Sequence, residues 1–465
     1  MIFQRVGFEG RSAWLAAALS LAGCAPERPP AEEQSELGTV SFPTSCSAEA
    51  RPGFERAVAL LHHMSYPESR RAFEVVSTLD PDCAMARWGV AMTLFQPLWP
   101  TRPTEDDLRR GWAEVSAANA MPATDRERLF IAAAEAFFRP GDRDYWSRIV
   151  AWEAASRSAY EALPDDPAAT VLWALSHLAT APATGGTEHQ DTAAAVLLRV
   201  LAEHRDHPGA VHYTVHANDV AGRERESSQV VRSYLEIAPR NPHALHMPTH
   251  IFIRLGAWED VIEWNLAAAE AALEHPAGDA GQWVWDEFPH ALEYLVYAHL
   301  QRGDDAAAES AMLRLQGTSD LQPSFKTAFN LASIPVRYAL ERRAWAEAAS
   351  LPSRPAERAL PWDLYPWPEA ISWFGRGLGS ARLGDREAAE QAERRIDALR
   401  EVAGRAGEDL FRRQIEILRL ELAAWVAHAG GRASEALELM RAAVTLEAET
   451  PKHAVTPAPT LPALE

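Results

Sequence analysis

Two histidine-rich segments carry the clearest chemistry in this chain. In His207-Pro208-Gly209-Ala210-Val211-His212-Tyr213-Thr214-Val215-His216-Ala217-Asn218-Asp219, His212, His216 and Asp219 fall at i, i+4 and i+7. On a helix of 3.6 residues per turn, those positions lie within roughly 60° of one another. The next segment, His243-Ala244-Leu245-His246-Met247-Pro248-Thr249-His250, repeats the pair: His246 follows His212, and His250 follows His216, by 34 residues. Further on, His290 stands where His243 stood and Glu293 where His246 stood, with Asp286 and Glu287 just before them.

An i, i+4 histidine pair on a rigid helix presents two imidazole nitrogens to one ion. A carboxylate nearby completes the shell or orients an imidazole from behind. The expected primary ligands are therefore His212, His216, His246 and His250, with His290 and Asp219 or Glu293 as added ligands or as groups that support the ligands from behind. Such a set suits one transition-metal ion, or two a few ångströms apart, with zinc, copper and iron all compatible. Arg254, one turn after His250, and His243 are the candidates for holding an anionic substrate. No nucleophile–base arrangement accompanies them, so catalytic residues and reaction class stay open. Duplicated histidines also suit an anionic or peptide ligand, or a hydrogen-bonded polar seam. Repetition in register favours metal.

What must position these side chains is a helical repeat. Pro208 to Gly222 and Pro242 to Gly256 span the same 14-residue gap, and both prolines and glycines are 34 apart. A third unit runs from Pro289 to Gly303, again 14, set 47 behind the second by an insertion. Proline suits the first turn of a helix, with Asn241 as the N-cap before Pro242. Glycine permits the left-handed turn between two antiparallel helices. Pro248, inside its helix, removes a backbone bond and predicts a kink. Weaker copies flank these units: Phe54 to Leu79, pairs opened by Ala84 and Asp166-Pro167, then Phe329 to Leu351, Pro368 to Val402 and Leu410 to Leu446. Thirty-four residues is the tetratricopeptide (TPR) period. The expected fold is all-α, a TPR-like α-solenoid of antiparallel helix pairs over residues 43–450, whose apolar faces are buried by stacking.

Elsewhere the histidines are less informative. His62, His63 and His177 read as packing or surface residues; His189, His204, His275 and His453 read as loop or helix-end residues. Trp283, Trp285, Trp362 and Trp367 are expected to pin connections to the solenoid. A formal net charge of −20 opposes a phosphate backbone, so nucleic acid is not an expected partner. There is neither a Gly-rich phosphate loop nor a G-x-S-x-G elbow.

The first residues read as an export signal. Arg5 and Arg11 precede the apolar run Ala13 to Leu21, which is too short to span a bilayer. Leu21-Ala22-Gly23-Cys24 resembles the lipobox of bacterial lipoproteins. By that resemblance residues 1–23 are a signal, Cys24 bears the lipid, and Ala25 does not direct inner-membrane retention, so the expected location is the periplasmic face of the envelope, on the outer membrane. Residues 24–42 are expected to be a flexible tether. Cys46 and Cys83 then remain, and in an exported protein they are expected to pair.

These segments, with Asp80-Pro81-Asp82-Cys83-Ala84-Met85-Ala86-Arg87-Trp88-Gly89 and Pro289-His290-Ala291-Leu292-Glu293-Tyr294-Leu295, resemble a large, mainly uncharacterised bacterial family of TPR-repeat proteins. The resemblance covers most of the chain and implies a helical-repeat fold with a histidine-rich site, without implying a reaction. Members of that family continue past a proline-rich stretch like Thr456 to Glu465 into a further repeat. An irregular tail over 451–465 is therefore expected, leaving either an uncapped solenoid end or a site short of one wall. The alternative to a metal protein is a non-enzymatic scaffold binding a peptide or partner protein in the solenoid groove.

Overall fold

The computed structural model describes residues 36–465 apart from Pro100, Gly185, Gly186 and Asp279. The proposed signal and Cys24 lie outside the described residues. Consecutive helices turn back on each other throughout the described residues. The first ones are α1 (Arg51–His62), α2 (Tyr66–Leu79), α3 (Ala84–Met92), α4 (Glu105–Ala120), α5 (Asp125–Phe138), α6 (Tyr145–Ala162), α7 (Pro167–Thr184) and α8 (Glu188–Glu203). The histidine-bearing middle comprises α9 (Pro208–Asn218), α10 (Glu224–Ile237), α11 (Pro242–His246), α12 (Thr249–Leu255), α13 (Trp258–Glu274), α14 (Glu287–Gln301) and α15 (Asp305–Gln316). It is followed by α16 (Phe325–Glu341), α17 (Trp345–Ser350), α18 (Pro366–Leu383), α19 (Arg386–Arg405), α20 (Asp409–Ala429) and α21 (Ala433–Ala448). The fold is all-α, a TPR-like array of helix pairs. No described helix is long and apolar enough to cross a membrane.

The repeat's punctuation follows local chemistry. Asn241 caps α11 by accepting from the Ala244 N–H at 3.0 Å. Gly256 and Gly303 adopt φ of 67° and 71°, the left-handed conformation that lets the second helix fold back. Pro248 does more than kink its helix: the element divides into α11 and α12, and the His250 N–H bonds only three residues back, to the Met247 carbonyl, at 3.2 Å. In the third unit, α14 begins at Glu287, so Pro289 sits within the first turn, where no intrahelical donor is lost.

Apolar side chains form three clusters, one mainly from residues 37–298, one bridging residues 235–338 and one from residues 325–455. Ile262 and Trp264 pack on both of the first two, and Leu331 on both of the last two, so the core runs on from cluster to cluster. Cys46 and Cys83 are joined by a disulfide. The expected tether ends earlier than residue 42. Leu37, Val40 and Phe42 are buried, with the Phe42 ring 5.4 Å from Phe54 and 5.0 Å from Phe130. Burying one such ring stabilises by about 1.5–3 kcal/mol, enough to fix this segment to the array.

The array also closes on itself. Helix α1 reaches α9 through His62, whose Nδ1 lies 3.1 Å from the Tyr213 hydroxyl. Arg102, after α3, pairs with both Glu408 oxygens at 3.0 and 2.9 Å, and Lys452 in the tail reaches Asp219 at 3.0 Å.

Candidate metal centre

The histidines form two sets of three. In the first, α9 supplies His212 and His216, and α11 supplies His243; one nitrogen from each lies within 4.8 Å of the others. The His212 Nε2 stands 3.2 Å from that of His216 and 3.0 Å from that of His243. Behind the set, His212 Nδ1 donates to the His62 carbonyl at 2.5 Å, and His243 Nδ1 donates to Glu287 Oε1 at 3.0 Å.

In the second set, His246 ends α11, His250 lies on α12 and His290 on α14. The Nε2 atoms of His246 and His250 are 3.0 Å apart. His246 Nδ1 donates to Asn265 Oδ1 at 2.7 Å, and the Asn265 amide is held that way round by donating to the Val261 carbonyl. His250 Nδ1 donates to Asp219 Oδ2 at 2.9 Å. The His290 ring is 4.3 Å from His246, and its Nδ1 is buried with no hydrogen-bond partner.

Those acceptors decide where the hydrogens are. A carbonyl or carboxylate oxygen only accepts, so in His212, His243, His246 and His250 the hydrogen sits on Nδ1 and the lone pair on Nε2. Burial also disfavours the imidazolium: it holds His212, His243, His246 and His290 well below the usual histidine range and pushes His216 down to about 3. Lone pairs then face one another at 3.0 Å between His212 and His243 and between His246 and His250, with His216 and the Tyr294 hydroxyl, 3.3 Å from His250 Nε2, as their nearest neighbours. A cation between them satisfies that arrangement, and the backing acceptors are what a metal-bound imidazole uses.

The two sets obey one rule. Counting from the opening proline, the ligands stand four and eight residues on in one unit and one residue on in the next. His212 and His216 join His243; His246 and His250 join His290. The second set is the first moved along by one repeat. Gly209 occupies the one-residue position of the first unit, and His62 fills the space its side chain would need: an added Cβ would lie 2.5 Å from His62 Nδ1.

Three expectations change here, for His243, Arg254 and Glu293, and of the two roles open to Asp219 the hydrogen bonds favour the supporting one. His243 belongs to the first set of nitrogens, not to a substrate site; the signal was its equivalence to His290. Asp219 stands behind the histidines, its carboxylate taken by His250, Arg254 and Lys452. Although burial works against it, Lys452 and its other partners hold this carboxyl well below the usual carboxylate range. Arg254 gives its Nε to Asp219 Oδ1 at 2.6 Å and one Nη to the Asp219 carbonyl at 2.8 Å, so that edge of the guanidinium positions Asp219 rather than a substrate. Glu293 joins neither set; it faces Arg337 at 3.7 Å, and burial pushes its carboxyl up to about 7.

A cavity of about 30 Å³ opens between the sets, lined by His216, His243, His250 and His290. That is room for one or two water-sized molecules. Trp99 covers one side, 5.3 Å from His243 and with Lys326 Nζ 3.6 Å over its ring. The tail covers another with His453, Ala454 and Val455, and Arg337 anchors it through the carbonyls of Ala458 and Pro459, both at 2.9 Å. The wall expected to be missing is thus supplied by the tail. His453, read as a loop residue without partners, lies in that wall; nothing in its local spacing signalled it.

No family model and no curated protein matches the chain. Solved structures to which it is similar include a human IFIT1 dimer with m7Gppp-AAAA, at 14% identity over 85% of this chain and 82% of that one, with a TM-score of 0.38. The APC/C hetero-tetramer Cut9–Hcn1 gives 14% identity over 87% and 78%, TM-score 0.37. The P58(IPK) TPR domain gives 14% over 86% and 93%, TM-score 0.18. At these scores the similarity carries no inference about ligand or partner.

Proposed function

We propose that this protein binds a pair of transition-metal ions in its central repeats, one in each tri-histidine set, with both ions facing the shared cavity. The observation that carries this reading is the pair of Nε2 contacts at 3.0 Å, His212 to His243 and His246 to His250, between imidazoles whose hydrogens are committed elsewhere. Three protein nitrogens per ion leave a coordination position open, the arrangement of sites that act on a further ligand rather than merely hold structure together. Lewis-acid and redox chemistry are both within reach of such a centre.

Exporting the protein is part of the proposal: the Leu21-Ala22-Gly23-Cys24 motif supports a lipid anchor at Cys24, and the Cys46–Cys83 disulfide suits an oxidising compartment. The scaffold alternative is weaker at this place, because Trp99 and residues 453–455 cover the face a peptide would need.

Elemental analysis tests the reading. Wild-type protein purified from the periplasm, or reconstituted with zinc, copper and iron in turn, is expected to carry about two ions per chain, a ratio set by the three-nitrogen sets. The double variant His216→Ala/His250→Ala is expected to fall to background. Wild-type protein that takes up none of the three metals would refute it.

A further inference from the structure

What bears on the choice of ion is the charge around the two sets, since three imidazoles by themselves suit zinc as well as copper. Every ligand is a neutral imidazole. Around them, Asp219, Asp286 and Glu287 bring three negative charges, and Arg254, Lys326 and Lys452 bring three positive ones, each already paired: Asp219 with Arg254 and Lys452, Asp286 and Glu287 with Lys326. The formal sum is zero, and a proton on Asp286 would only make it positive. Placing an ion in such a buried, uncompensated site costs free energy that rises with the square of its charge. A divalent pair is therefore penalised far more than a monovalent one.

The cavity wall points the same way. Leu98, Trp99, Ala454 and Val455 are apolar, no carboxylate lines it, and Met247 and Lys326 complete the lining beside the histidines. Imidazole donors with a methionine at hand and no hard oxygen ligand suit soft cuprous copper. Met247 is placed there by the Pro248 break, which turns the chain between His246 and His250.

Resting on the reading above, we infer that the resident metal is copper in its monovalent state, a Cu(I) pair held by neutral donors in an electrically balanced pocket. Copper(I) is stable in three-nitrogen surroundings and needs no anionic ligand to neutralise it. Zinc and ferrous iron would each have to bring one.

The test is anaerobic loading of the full chain with copper(I), prepared with ascorbate and presented with a weak cuprous chelator, then challenge with excess zinc(II). The expected result is two copper ions per chain that zinc does not displace. If zinc displaces copper, or binds while copper stays with the chelator, the cuprous assignment is overturned and the metal-site reading survives. If neither metal binds, both fail. Met247→Leu keeps the side-chain volume and removes the sulfur. It is expected to weaken copper(I) retention while leaving zinc(II) binding as it was, and an equal change in both would overturn the role given to the thioether.

Discussion

At the scale of single residues, the centre is set by what stands behind each imidazole. His62 contributes a backbone carbonyl, Glu287 and Asp219 contribute carboxylates, and Asn265 contributes an amide oxygen. Of these, Asn265 is the cleanest to test, because it touches one set only and its orientation is fixed by Val261. Asn265→Ala leaves the His246 Nδ1 hydrogen without its acceptor. Metal affinity is expected to fall by about 10- to 100-fold at one of the two sites, with the other unchanged. A stepwise titration against a chromophoric chelator reads both steps. Equal loss at both sites would mean that Asn265 acts on folding rather than on one ligand.

Among the elements, the opening prolines act as a ruler. They make His212, His216, His246, His250 and His290 legible from sequence, since a 34-residue period brings equivalent positions side by side. The same ruler placed Asn241 as a cap and Gly256 and Gly303 as left-handed turns. It did not expose the roles of Asp219, Arg254 and Glu293, because spacing along one helix says nothing about which oppositely charged neighbour claims a side chain first. Contacts that join distant segments were equally hidden: His62, Trp99, Lys326 and His453 reach the site only through the way the array curls. The tightest of these joints is Gly209 against His62. Gly209→Ala would drive a methyl to within 2.5 Å of the His62 ring and 2.8 Å of Val171. The expected cost is about 1–3 kcal/mol in a urea denaturation, with weaker metal binding at the first set because the His62 carbonyl moves. Unchanged stability would show that α9 and α1 are not in register as described.

For the molecule as a whole, burying many histidines in their neutral form makes stability depend on pH. Burial holds His63 and His207 down to about 4, and neither is a proposed ligand. The unfolded chain protonates such groups near pH 6.5 while the folded chain does not, so stability is full above that pH and declines as pH falls toward 4. Each histidine costs about 1.4 kcal/mol per pH unit across that window. Urea midpoints of metal-free protein are expected to drop steeply between pH 7 and pH 5, and a flat profile would contradict the burial described. The curl of the array has a second consequence: it narrows an inner surface that TPR arrays can offer to a peptide to a partly open cavity of about 30 Å³.

The account of this centre rests on one claim, that a single three-histidine site has been copied one repeat along. Metal stoichiometry in two single variants, His212→Ala and His246→Ala, tests it most directly, with circular dichroism showing that each is folded. The account predicts one ion per chain in each variant against two in the wild type, and none when the substitutions are combined. A folded wild type that binds one ion, or folded single variants that both lose all metal, would contradict it.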